Sequence, residues 1–286
     1  MALCARAFVF SSRPVLNWLD TTPRYLVGII LLVLMLAAAA AGVRLRARLE
    51  FEIKSKAPDK WHHDYDGYLI SAVLGLLALL LGFTFSLATS RYEERRQMVV
   101  AEANAIGTAY LRVQLLGAPH RQRLSQMLIE FAKVETYLGK ARDKPETQRL
   151  LIEQDKRIDD MWAATAAAFD SVRTISLSLA IVQAMNDMFD LGAARRAARF
   201  ARVPIEVFAV LFVYLIGAAA VLGYVLAVGR GWVAAAFLLA LLNLSFLVVL
   251  DIDRPTSGGI LESQQPMDQM LVTLQNQPPG TFDRWR

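Results

Sequence analysis

The polar residues whose types and spacing could support chemistry fall into small groups. His62, His63, Asp64 and Asp66 stand together ahead of an apolar run and carry the donor atoms a divalent metal needs. Adjacent histidines point to different faces in regular structure, so they suit a single metal poorly. With Trp61 and Tyr65 beside them, they read as a solvated loop at a membrane interface. Glu93, Glu94, Arg95 and Arg96 form a charge run of the kind that pairs along an exposed helix face. Asp187 and Asp190 precede Arg195, Arg196, Arg199 and Arg202, which either pair internally or face acidic lipid. The single cysteine, Cys4, leaves no internal disulfide and no cysteine metal cluster. No Walker-type loop, GxGxxG, HExxH or GxSxG occurs. The expectation is a protein that is not an enzyme and carries no metal or cofactor. A net charge of +5 is too modest to suggest nucleic acid.

The elements that hold these groups are dominated by apolar runs. Hydrophobic residues make up 55% of the 286, which points to a membrane protein. Four runs are long enough to cross about 30 Å of hydrocarbon. They predict spans over 25–43, 68–88, 204–228 and 232–250. The first is longer than a signal-peptide core and is followed by Arg44, Arg46 and Arg48, so it reads as a retained span. Gly229, Arg230 and Gly231 link the last two as a tight antiparallel hairpin. Residues 1–24 form an N-terminal segment, 44–67 an external loop and 251–286 a tail. Arginines and lysines near span ends favour the side shared by both termini and residues 89–203, which predicts those parts to be cytoplasmic.

Residues 89–203 carry mixed charge and a helical repeat. Val99, Ala103, Ile106, Tyr110 and Val113 recur at steps of four and three, and no proline interrupts residues 68–118. The second span therefore continues as one long helix, ended by Gly117 and Pro119. A second helix carries Leu124, Met127, Phe131, Val134 and Leu138 on one face. A third carries Leu151, Ile158, Trp162, Thr165 and Phe169. A fourth carries Ile175, Leu179, Val182, Met185 and Phe189, with Gly192 placed to bend or end it. The fold class is all-α: a four-span integral membrane protein with a cytoplasmic helical bundle inserted between the second and third spans. Ionisable residues are missing from the span centres, and Glu206 sits only at an edge, which disfavours a proton- or sodium-coupled transporter. Asn243 and Ser245 suit hydrogen bonding between helices. A passive conduit with an apolar, dewetting gate stays open as a reading.

The run from Leu80 to Gln97, LLGFTFSLATSRYEERRQ, resembles the pore-helix region of bestrophins. Leu81, Gly82 and Phe83 are followed at the same spacing by Arg91 and Tyr92, then Glu94 and Arg96. The chain resembles more closely a bacterial family described as bestrophin-like. That likeness rests on Glu102-Ala103-Asn104, on Asp190 before the arginine-rich segment, and on the DIDRPTSG segment from Asp251 to Gly258. It covers most of residues 60–270.

The resemblance implies a homo-oligomer, pentameric in bestrophins, in the bacterial inner membrane, that passes an inorganic anion across the lipid bilayer. Its apolar pore neck carries over to Gly75, Leu79 and Phe83. Gly75 departs from the larger side chain usual there and would widen the neck. Some bestrophins hold Ca²⁺ with an acidic run after the fourth span. Here Asp251 and Asp253 are interrupted by Ile252 and followed by Arg254, so calcium gating is not expected. The competing class is a non-conducting membrane scaffold or signalling protein that acts through its helical domain. Convergence of Leu79 and Phe83 on an axis distinguishes the first reading from the second.

Overall fold

A computed structural model describes residues 22–54, 63–169, 175–226 and 231–283. Cys4, Trp61, His62, Gly229 and Arg230 lie outside the described residues, as do the side chains of His63, Asp64, Tyr65 and Asp66. Within them the regular structure is helical: α1 (Arg24–Lys54), α2 (His63–Val113), α3 (His120–Lys140), α4 (Lys144–Phe169), α5 (Ile175–Phe200), α6 (Ile205–Leu226), α7 (Gly231–Asp253) and α8 (Gln265–Asn276). Four stretches, Arg24–Leu49, Gly67–Val113, Ser176–Leu226 and Gly231–Asp253, are long and apolar enough to cross a membrane. The chain forms two compact units, and α2 contributes its first part to one and the rest to the other.

One unit takes in the described residues of Val9–Arg91 and Arg202–Ile260. Here α1 packs on α6 and α7, and α6 on α7. The alanine run of α1 explains how close the first contact is. A Cβ on Gly42 would lie 2.8 Å from Tyr224 N, and one on Gly223 would lie 2.6 Å from Ala39 Cα. Small residues let two helix backbones meet where lipid offers no hydrophobic drive to association. On α7, Ala235, Leu239, Asn243, Phe246 and Leu250 form the buried stripe, and Phe246 meets Phe208 edge-to-face at 6.1 Å. α1 runs well beyond the span predicted to end at residue 43. Arg46 lies on this extension, donates to the carbonyls of Tyr224 and Val225 at 3.0 Å and lies over the Tyr224 ring. Those carbonyls end α6 and lack intrahelical donors.

The segment after α7 is tied down by its acids. Asp251 accepts from the Arg24 guanidinium at 3.0 Å and from the backbone N–H groups of Gly259 and Ile260 at 2.8 and 3.1 Å. Asp253 accepts the Val203 N–H at 2.8 Å.

The other unit takes in Tyr92–Ala201 and the described part of Leu261–Arg286. The stripe read on α2 is buried from Val99 through Ile106 and Tyr110 to Val113. It packs with Leu124, Leu128 and Phe131 of α3, Met161 of α4 and Met185 and Met188 of α5. Each large apolar side chain so buried stabilises the fold by about 1.5–3 kcal/mol.

Two expected faces are rotated. On α4 the buried side chains are Leu150, Gln154, Met161, Ala164, Thr165 and Ala168, while Trp162 and Phe169 are exposed. Small alanines let α4 approach its neighbours, and Gln154 has a polar partner inside. On α5 Ser178 and Ile181 are buried and Leu179 is exposed. α5 runs through Gly192 to Phe200 without ending there. The glycine leaves room instead: a Cβ would sit 2.9 Å from Glu102 Oε1. α2 stops at Val113, slightly short of Gly117.

The C-terminal segment, read as a tail, contains α8. Met267 and Leu274 of α8 enter the core of this unit, and Met270 packs where Gly107 of α2 leaves space. Arg121 pairs with Asp283 at 2.9 Å and Lys140 with Asp268 at 2.6 Å.

Candidate pore face and buried charge cluster

The second span differs from the other three in how little of it is covered. Only 11% of its apolar window is buried, against 33% in each of the others. Its buried residues, Leu77, Thr84 and Ala88, lie on one side. Gly75, Leu79 and Phe83 are exposed, with Leu79 at 54% and Phe83 at 65%. They stand four apart, so consecutive members are neighbours along one helix edge. A Cβ added at Gly75 would meet nothing within 4 Å, and the same holds at Gly82. The three expected neck positions therefore share an apolar edge that no other described residue of this chain covers.

The residues expected at the helix exit do not act as one group. Arg91 is half-buried. Tyr92 reaches the carbonyl of Leu261 at 3.5 Å. Glu94, Arg96 and Asn104 are exposed, and Arg96 pairs with Glu93 at 3.1 Å. The Gln97 amide and the Arg96 guanidinium hold the Glu93 carboxyl below its ordinary range. Arg95, in the same charge run, is buried with its guanidinium 3.7 Å from the Glu262 carboxylate.

Glu102 is wholly buried and belongs to a charge cluster. Arg195 Nη1 donates to Glu102 Oε2 at 2.5 Å and to Glu135 Oε2 at 3.3 Å. Its Nη2 donates to Gln264 Oε1 at 2.8 Å and to the Glu135 carbonyl at 3.4 Å. Gln154 Nε2 donates to the other oxygen of Glu135. One turn further along α5, Arg199 donates to the carbonyls of Leu138 and Ala141 at the end of α3. Arg196 pairs outward with Asp155 at 3.1 Å.

Two buried carboxylates thus share one guanidinium. Burial, then the charge of Glu102, pushes the Glu135 carboxyl up to about 8, against the pull of Arg195 and the hydrogen bond from Gln154. Burial thus favours the protonated form of Glu135, while Arg195 makes its shortest contact with Glu102. Asp190 is exposed; it is the arginines after it that pair inward.

Glu135 was not singled out from the sequence. The signal was present: it stands four after Phe131 and three before Leu138, on the core face of α3. Gln154 is marked in the same way by Leu150 and Ile158. Nothing local pointed to Gln264.

A family model described as a bestrophin-like domain matches residues 33–267. The chain belongs to the bestrophin-like family. The expected neck, the exit residues and the Glu102–Arg195 pair all lie inside the matched stretch. Among solved structures, this bestrophin-like chain is similar to a bacterial bestrophin homolog from Klebsiella pneumoniae. Identity is 17%, coverage is 87% of this chain and 96% of that one, and the TM-score is 0.57. A point variant of that homolog matches at 18% identity, the same coverages and a TM-score of 0.58. At such identity the likeness concerns the fold. No curated protein matches the chain.

Proposed function

We propose that this bestrophin-like protein is an oligomeric ion channel whose second span lines the pore. The observation that carries the proposal is the uncovered edge of that span: 11% burial and an open line through Gly75, Leu79 and Phe83. Side chains one turn apart on copies arranged about an axis form stacked apolar rings. A narrow apolar neck gates by dewetting, with no charged residue at the constriction. Gly75 leaves one ring without a side chain, so the neck is set by Leu79 and Phe83. A pentamer and an inorganic anion are the assembly and cargo that the family resemblance favours. In this reading the chain sits in the bacterial inner membrane with four spans. Both termini, the helices over 89–203 and the segment 251–286 are cytoplasmic.

The test is mass measurement of the detergent-purified protein, then anion flux in liposomes with wild type and Phe83→Ala. An oligomer that conducts, and conducts faster once the Phe83 ring is truncated, supports the proposal. A monomer, or no flux from either protein, overturns it.

A further inference from the structure

We propose that Glu135 and Arg199 form a proton-operated latch on the end of α3: a proton on Glu135 leaves Arg199 holding α3 closed, and its loss draws Arg199 away. The inference does not depend on conduction.

The geometry comes from two matched steps. Arg195 and Arg199 are one turn apart on α5, and Glu135 and Leu138 are one turn apart on α3. Arg195 Nη1 donates to Glu102 at 2.5 Å. Arg199 is then spent on the carbonyls of Leu138 and Ala141. These belong to the last turn and C-cap of α3, where carbonyls lack intrahelical donors. Arg199 therefore acts as the side-chain cap that closes α3 before α4 begins at Lys144.

Loss of the proton changes which acceptor is best. A second buried negative charge then stands beside Glu102 on a guanidinium already committed. The groups facing Glu135 are few. α2 supplies Glu102, and α4 supplies the neutral Gln154. α5 supplies Arg195, Arg196 and Arg199, of which Arg196 is held by Asp155. The segment before α8 supplies Gln264 and Glu262; Glu262 lies 3.7 Å from Arg95, and its charge also acts on Arg195 and Arg199. Arg199 is the guanidinium without a carboxylate at hydrogen-bond distance, and its buried Nε lacks a hydrogen-bond partner. An ionised carboxylate is a stronger acceptor than a backbone carbonyl. A cavity of about 20 Å³, the space of about one water, is lined by Glu135, Leu138, Gln154, Arg195 and Arg199, so the two side chains of the latch already face one void. The turn leaves the Leu138 and Ala141 carbonyls uncapped, and the junction of α3 and α4 loosens.

The direction of the pH effect follows. Glu135 holds its proton up to about 8, where an ordinary glutamate loses it at 4.5. Between those values the folded chain binds a proton that the unfolded chain does not, so stability falls as pH rises through the window.

The experiment uses the full chain in detergent at pH values from 6 to 9.5, with thermal unfolding and amide-exchange mass spectrometry corrected for the intrinsic rate. In wild type, the midpoint should fall as pH rises through about 8, with loss of protection confined to peptides spanning residues 138–143. In Glu135→Gln both responses should vanish. In Arg199→Lys, which cannot bridge both carbonyls, the same peptides should be unprotected already at pH 6. Equal pH responses in wild type and Glu135→Gln would overturn the latch. So would a wild-type midpoint shift without deprotection of 138–143, or an Arg199→Lys variant protected like wild type at pH 6.

Discussion

Replacing Arg195 with methionine is the sharpest perturbation of the buried cluster, because one guanidinium neutralises it. Methionine keeps much of the unbranched stem and fills the same channel, so the charge is the main thing removed. Glu102, fully buried and 2.5 Å from Arg195, is left without its cation. Glu135 loses its 3.3 Å contact and Gln264 its 2.8 Å donor. Breaking a buried pair from one side costs about 3–5 kcal/mol, since a charge stays behind in low dielectric. The loss should be least at acidic pH and should grow as pH rises, because a carboxylate left in low dielectric costs most when ionised. The companion variant Arg195→Met/Glu102→Leu removes both charges and should recover most of the stability, because swapping a buried pair for apolar residues is close to neutral. The assay is urea unfolding of the full chain in detergent, followed by amide exchange along α2 and α5. An Arg195→Met protein as stable as wild type at pH 7, or a double variant no better than the single one, would refute the reasoning.

Three further expectations follow from the unit that holds the spans. Gly223→Leu should prevent α1 and α6 from meeting, since any Cβ there runs into the Ala39 backbone; size-exclusion chromatography should show loss of folded protein. A Cβ at Gly75 meets nothing among the described residues of its own chain, so Gly75→Leu should fold normally and, if the second span lines a pore, should cut ion flux by restoring a third apolar ring. Asp251→Asn removes the charge that faces Arg24 and replaces one of the two oxygens that accept from Gly259 and Ile260 with a donor. It should cost about 1–3 kcal/mol and speed amide exchange over residues 256–260.

Hydropathy and helical period were enough to find the four apolar stretches and the core faces of α2 and α3. Both signals are local: a span needs only length and apolarity, and a core face needs only spacing. The order of LGF, Arg-Tyr, Glu-Ala-Asn and the DIDRPTSG segment was enough to point to the family. Periodicity was less decisive on α4, where the bulky residues Trp162 and Phe169 face outward and small alanines face in. There the distance between helices sets which face is buried, and no single helix records it. The partners of the buried charges belong wholly to the tertiary structure. Glu102 meets an arginine 93 residues away, and Glu135 is pinned between α4 and α5. Asp251 reads as one of two acids after the fourth span until Arg24 is packed against it from 227 residues earlier. Local sequence fixes which side chains carry charge. Only the packing decides which are taken out of water together, and that alone determines their partners and which of them keeps its proton.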